Sequence, residues 1–232
     1  VGDPLDMLKD SFFTALELIF TGDPEVFSIT GRTLLISSAS TSIAASIFVP
    51  VGSLIYFHNF PGKGLLVNVI QTLFSMPTVF IGLLVFITFS REGPLGGFGI
   101  LFSPTAIIIG HVILISPIIA GLTISALREI APEIQDTAMS LGASRLQTIY
   151  TTVREAKYGV STAVLLGFGR AISEIGLAII VGGNIRGETR TLTTAMSLET
   201  SIGNFEMAMA LGIILVSLAL VVNILVSRLQ HR

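Results

Sequence analysis

The 232-residue chain is 51% hydrophobic and only 12% charged, with a formal net charge of −2 at pH 7 and a mean hydropathy of +0.85. So little polar surface excludes an ordinary soluble globule, and the acidic balance offers nucleic acid no partner. With no cysteine, disulfide frameworks and cysteine-based metal or redox sites are excluded as well.

The expected solvent is therefore the bilayer. Hydrocarbon offers no hydrogen bonds, so each backbone polar group must be paired inside the chain, and long apolar runs without strand-like alternation select helices over a closed barrel. The fold class is an all-α integral membrane protein. Val1 is not followed by a basic segment and a cleavable apolar region, so no signal peptide is expected, and there is room for a few residues ahead of it.

In chain order, Asp3 is a helix cap and Pro4 a first helical residue, and Leu5, Leu8, Phe12, Leu16 and Ile19 fall on one face before Thr21 and Gly22 stop the segment. Residues 3–22 thus read as an amphipathic interfacial helix, with a truncated span as the alternative. Five runs then reach the length of about 20 residues that crosses hydrocarbon. They are 33–57, 65–90, 104–126, 159–182 and 206–227. The first carries many small residues, among them Ser37, Ser40 and Ala44, which permit close helix approach. Pro50, Pro77 and Pro117 are expected to kink or interrupt the first three spans.

Between the third and fourth spans lies the polar interval 127–158. Pro132 suits a first helical position, with Glu133 and Asp136 near the positive helix end, so one short helix is expected over 132–141. Gly142 can end it in the left-handed conformation, and Ser144 with Gln147 has the spacing of a capping box for the next helix. The expected product is a helix-glycine-helix elbow.

The elbow side holds Lys63, Arg128, Arg145, Arg154, Lys157, Arg228 and Arg232 against Glu129, Glu133, Asp136 and Glu155; the other side holds five basic residues against ten acids. That bias places the elbow and the C-terminus in the cytoplasm and the N-terminus outside. The outer loop 91–103 is rich in glycine and reads as turns rather than a domain. Gly183 to Phe205 is the longest outer connection, where Arg186 and Arg190, followed by Thr191, Thr193 and Thr194, suit an anion or a docking protein, unless the loop is simply solvated.

Arg170 and Glu174 lie four apart in the fourth span, within reach of each other on one helical face. Charges there are costly, so they form a structural clasp, or Arg170 lines an anion route and Glu174 holds it. Gly167, Gly169 and Gly176 leave room for another backbone, and His111 in the third span needs a partner or a wet cavity.

The run Asp136-Thr137-Ala138, three residues, then Gly142 resembles the first half of the E-A-A-x-x-x-G loop of permease subunits of ATP-binding-cassette importers. Thr152, Arg154 and Glu155 depart from that loop's second half, where the family has Ile, Leu and Pro. Within the family, the run 136–147, Gly167-Phe-Gly-Arg-Ala-Ile-Ser-Glu-Ile-Gly176 and Gly182-Gly-Asn-Ile-Arg-Gly-Glu-Thr-Arg-Thr191 look most like the tungstate-type oxyanion permeases, over about 36–229. The resemblance implies the type I importer permease fold, with five transmembrane helices, and a cell inner-membrane protein made of two copies of this chain. It also implies two cytoplasmic ATPase subunits, which carry ATP and Mg, and an external tungstate-binding protein. Glu133, Asp136, Thr137, Ala138, Leu141, Gly142, Ala143, Ser144 and Arg145 would form the coupling helix region. Arg170, Glu174, His111 and Asn184 would be pathway or intramembrane polar residues.

The chain has no G-x-x-x-x-G-K-[ST] phosphate cradle, since Gly62-Lys63-Gly64 lacks the preceding frame, so it is a transport subunit rather than an enzyme and is expected to bind neither cofactor nor metal itself. The leading expectation is an importer of tungstate, with molybdate as a second substrate. Its alternatives are a permease for a different anion and an ion-coupled secondary transporter using Arg170 and Glu174. An intramembrane hydrolase lacks a convincing nucleophile and base: His58, His111 and His231 lie in unrelated settings.

Overall fold

The computed structural model describes residues 4–230, and every regular element among them is an α-helix or a short 3-10 turn. Asp3, expected as a cap, and the terminal Arg232 lie outside the described residues. The helices are α1 (Pro4–Phe20), α2 (Pro24–Phe57), α3 (Lys63–Thr72), α4 (Thr78–Phe89), α5 (Pro104–Ser140), α6 (Arg145–Glu155), α7 (Lys157–Ile172), α8 (Gly176–Gly182), α9 (Leu192–Ser201) and α10 (Phe205–Gln230).

Three helical segments are long and apolar enough to cross a membrane, in α2, α5 and α10, and the number rises to five if α3 with α4 and α7 with α8 each count as one broken span. The five expected runs are therefore helical, three unbroken and two interrupted. The first starts earlier than expected, at Pro24 rather than Thr33. The Asp23 carboxylate accepts from the Glu25 and Val26 N–H groups at 2.9 and 3.0 Å, an N-cap followed by proline at the first helical position.

Prolines act differently at different places. Pro77 does interrupt its span: Met76 before it is extended, at φ −63° and ψ 132°, as steric conflict with the proline ring demands. Pro50 and Pro117 instead lie inside continuous helices. At Pro117 the reason is visible, because the Ile113 carbonyl left without its usual N–H donor accepts the Ser116 hydroxyl at 2.9 Å. Pro132 likewise does not start a helix; α5 runs through it to Ser140, so the elbow's first arm is the end of a long helix rather than a separate short one.

Contacts within the chain fall into two units. The first comprises Pro77–His111, Ile172–Val221 and the chain up to Ala39. Its core joins Ala15 of α1, Val26 and Ile29 of α2, Leu192 and Ala195 of α9, and Ala210 and Leu211 of α10. Among the described side chains of α1, Ser11 and Ala15 are buried, while of the expected apolar face Leu16 and Ile19 are half-buried and Phe12 is exposed.

The second unit comprises Ser40–Met76, Val112–Ala171 and the chain from Val222. Here α2 turns Ser40, Thr41 and Ala44 inward while Ser42 and Ser46 are exposed. The small side of α2 continues at Gly52, where an added Cβ would stand 2.7 Å from the Ala120 carbonyl oxygen of α5. Gly167, Gly169 and Gly176 meet side chains of Ile119, Val222 and Val79 rather than another backbone.

Gly52 and Gly31 both lie in α2 and make opposite predictions. Gly52→Ala forces α2 and α5 apart and should destabilise the detergent-solubilised protein by about 1–3 kcal/mol. Gly31→Ala meets nothing within 4 Å. It should leave stability unchanged or raise it by up to about 1 kcal/mol through helix propensity. Thermal unfolding of both variants checks the pair.

Candidate functional site

The elbow is built from a complete set of backbone caps. Gly142 takes φ +78°, its N–H donates to the Met139 carbonyl at 3.0 Å, and the Ala143 N–H reaches back to Ala138 at 2.9 Å. These two bonds are a Schellman closure, which pairs the Ala138 and Met139 carbonyls near the end of α5. The Leu141 N–H donates to Thr137, and the Thr137 hydroxyl donates to Glu133, at 3.1 and 2.8 Å. On the other side the Ser144 hydroxyl accepts from the Gln147 N–H at 3.4 Å while the Gln147 side chain accepts from the Ser144 N–H at 2.8 Å, the capping box expected from their spacing. Only three residues, Leu141 to Ala143, separate Ser144 from the end of α5. Little torsional freedom is left between the two arms.

The elbow exposes four large apolar or aromatic side chains. Met139, Leu141, Leu146 and Tyr150 are 60%, 83%, 79% and 69% exposed. Glu133, Asp136 and Arg145 are exposed beside them, so the coupling residues expected from sequence lie on one contiguous stretch of α5 and α6. A solvated loop has no use for four large exposed side chains, whereas a partner surface does.

The intramembrane polar residues are distributed differently from expectation. Arg170 belongs to the second unit, while His111, Glu174 and Asn184 belong to the first. Arg170 and Glu174 are not on one continuous helix: α7 ends at Ile172 and α8 begins at Gly176. Glu174 is 3% exposed, and its carboxylate accepts from the Leu177 N–H at 3.0 Å, tying down the start of α8. Its carbonyl accepts from the Thr193 hydroxyl at 2.6 Å. Asn184 sits at φ +50° and donates from Nδ2 to the carbonyl of Thr194 at 3.3 Å. Glu174 and Asn184 are thus brought to adjacent residues of α9, where both set backbone geometry. His111 is buried at 2% exposure.

The 183–191 connection is also more tightly held than a solvated loop. The Thr189 hydroxyl donates to Gly182 at 2.6 Å and accepts from the Ile185 N–H at 2.8 Å. Thr191 and Thr194 make a capping box for α9, and the Thr33 hydroxyl of α2 accepts from the Leu192 N–H at 2.9 Å. Arg32 donates to the carbonyls of Gly187 and Arg190 at 2.9 and 3.1 Å.

The two cations expected to attract an anion are already matched. Arg186 pairs with Glu25 through both Nε and Nη2, and Arg190 stands 3.6 Å from Glu25 and 3.9 Å from Glu199. The hydrogen bond and the charge of Glu25 raise the Arg186 pKa above its ordinary value. Glu25 and Glu199, absent from the sequence-based selection, neutralise this cluster, so the loop is a folded structural element first.

Residues 48–232 match the family described as binding-protein-dependent transport system inner membrane component. The chain is 39% identical to the tungstate uptake system permease protein TupB of Peptoclostridium acidaminophilum, over 98% of this chain and 100% of that one. It is 40% identical to a probable anion ABC transporter permease protein of Haloferax volcanii, over 88% of this chain and 90% of that one. Among solved structures, a chain from the crystal structure of an amino acid ABC transporter with histidines superposes with a TM-score of 0.68 at 19% identity, covering 100% of this chain and 99% of that one, a likeness of fold.

The charge cluster predicts an asymmetry between its arginines. Arg190→Gln strips partners from the half-buried Glu25 and the more buried Glu199, and should lower stability by about 1–3 kcal/mol. Arg186→Gln, at the exposed end of the cluster, should leave the thermal midpoint within error. Equal losses in the two variants would mean that burial does not grade the cluster.

Proposed function

The chain belongs to the inner membrane components of binding-protein-dependent transport systems, and we propose that it forms the translocation pathway of an ATP-driven tungstate importer. It is an ABC transporter permease subunit and a multi-pass inner-membrane protein, and the ATPase is a separate chain. One observation carries the substrate: the 39% identity to a tungstate permease extends over 98% of this chain. Molybdate is a near-isosteric dianion and is the second substrate to test. In the proposed assembly two copies of the chain pair with two cytoplasmic ATPase subunits and an external binding protein. The Lys/Arg bias supports an elbow and C-terminus in the cytoplasm and an N-terminus outside.

The elbow is the coupling element of this assembly. Leu141, Leu146 and Tyr150 supply its apolar contact with the ATPase and Glu133 and Asp136 its charged rim, while Met139 and Arg145 line the cleft on its other side. Capped on both sides of Gly142, it moves as a body, so that a displacement at its tip reaches α5 undiminished. Because α5 is continuous from Pro104 to Ser140, one helix runs from the elbow into the membrane span. Glu174 and Asn184 hold the bends around α8, and His111 packs the interior of α5. Arg170 is the pathway cation that would meet the anion. An ion-coupled transporter using Arg170 and Glu174 is less well supported, because five spans without an evident inverted repeat do not suit it and it would leave the elbow without a use.

Proteoliposomes containing the permease, its ATPase and the binding protein test this directly. Uptake of tungstate should require all three and ATP, and uptake without the ATPase would refute the importer. Gly142→Val places a β-branched residue at positive φ. With a strain of about 1–3 kcal/mol at that position, it should lower tungstate uptake about tenfold or more while membrane insertion is retained. Gly142→Asn tolerates the same conformation and should lose far less. Arg170→Gln should abolish uptake with the assembly intact; normal uptake would remove Arg170 from the pathway.

A further inference from the structure

Within the second unit, the end of α2, the start of α3 and the elbow enclose a cleft of about 600 Å3. Its charged lining is purely cationic, since Lys63 and Arg145 contribute and no carboxylate does. Glu133 and Asp136 of α5 are exposed outside it. The rest of the lining joins apolar Phe57, Met139, Ala143 and Ile149 to the uncharged polar Tyr56, Asn59, Gln135 and Thr148.

Both cations are positioned rather than loose. The Lys63 ammonium donates to the Tyr56 carbonyl at 2.6 Å and to Asn59 Oδ1 at 3.5 Å, and lies 5.6 Å from the centre of the Tyr56 ring. An ammonium has three donors, so one is left to point at a ligand. Arg145 is the first residue of α6, where the positive helix end reinforces its charge. A third cation, Arg128, precedes Gln135 by two helical turns on the same face of α5.

We propose that this cleft holds the headgroup of an anionic phospholipid, with Lys63 and Arg145 on its phosphate oxygens and the apolar walls against the glycerol and first acyl carbons. A free tetrahedral oxyanion would fill only a fraction of the volume and gains nothing from apolar walls. A phospholipid uses both, and basic pockets beside membrane helices suit such headgroups. The exposed Leu54 and Phe60 flank the same end of α2, giving the acyl chains an apolar exit. A phosphate bridging Lys63 and Arg145 fastens the α2–α3 connection to the elbow. The site concerns the permease alone and stands whichever oxyanion is transported.

Native mass spectrometry of the purified permease in a non-ionic detergent tests it, with dioleoyl phosphatidylglycerol, dioleoyl phosphatidylcholine and inorganic phosphate as probes. One phosphatidylglycerol should be retained per chain, in preference to phosphatidylcholine. Lys63→Gln and Arg145→Gln should each reduce retention about fivefold, the scale expected per basic residue, and Lys63→Arg should keep it. Arg145 is exposed, so its variant reads the site even if Lys63→Gln folds poorly. Undiminished retention in Arg145→Gln would overturn the proposal, and so would displacement of the lipid by millimolar inorganic phosphate.

Discussion

Every peptide group carried into hydrocarbon must find its hydrogen-bond partner within the chain, and at several breaks in these helices that demand is met by a side chain or a cap. Ser116 supplies the Ile113 carbonyl where Pro117 cannot, and α5 stays continuous. Glu174 takes the Leu177 N–H where α7 gives way to α8, so a carboxylate buried at 3% exposure has a structural use before any functional one. The threonines around 189–194 do the same for the connection into α9, turning hydroxyls into backbone partners instead of leaving them for a ligand.

The elbow follows the same logic with a different consequence. Its Schellman closure and capping box leave no slack between α5 and α6, so force applied to its exposed apolar side is passed on rather than absorbed. Stiffness at that point and continuity of α5 belong together: a rigid tip on a broken helix would transmit nothing to the membrane, and a continuous helix with a loose tip would receive nothing. In the proposed importer, whose energy source is another chain, this is the physical form that a receiver of work would take.

Much of this was legible in the sequence because it is local. Gly142, Ser144 and Gln147 lie within one turn of each other, and their chemistry specifies the elbow whatever surrounds it. Pro132 misleads for the opposite reason, since a proline that suits a helix start is also tolerated inside a helix that neighbouring structure supports, and only α5 as a whole decides between them. The arginines of the 183–191 loop looked available because their partner, Glu25, lies 161 residues away from Arg186, and no local pattern carries that information. Glu174 was ambiguous on spacing alone, because four residues after Arg170 and three before Leu177 are both helical relations, and its tie to the Leu177 N–H depends on a break at 173–175 that no spacing announces.

The rigidity of the elbow is open to direct measurement because the chain has no cysteine. Spin labels on Met139→Cys and Tyr150→Cys, both on exposed positions on either side of Gly142, report the distance across the elbow by pulsed electron resonance. In the assembled transporter that distance should remain one narrow distribution in the nucleotide-free and ATP-bound states. A distribution that shifts or broadens between the two states would show an elbow that bends under load and would contradict its role as a rigid coupling element.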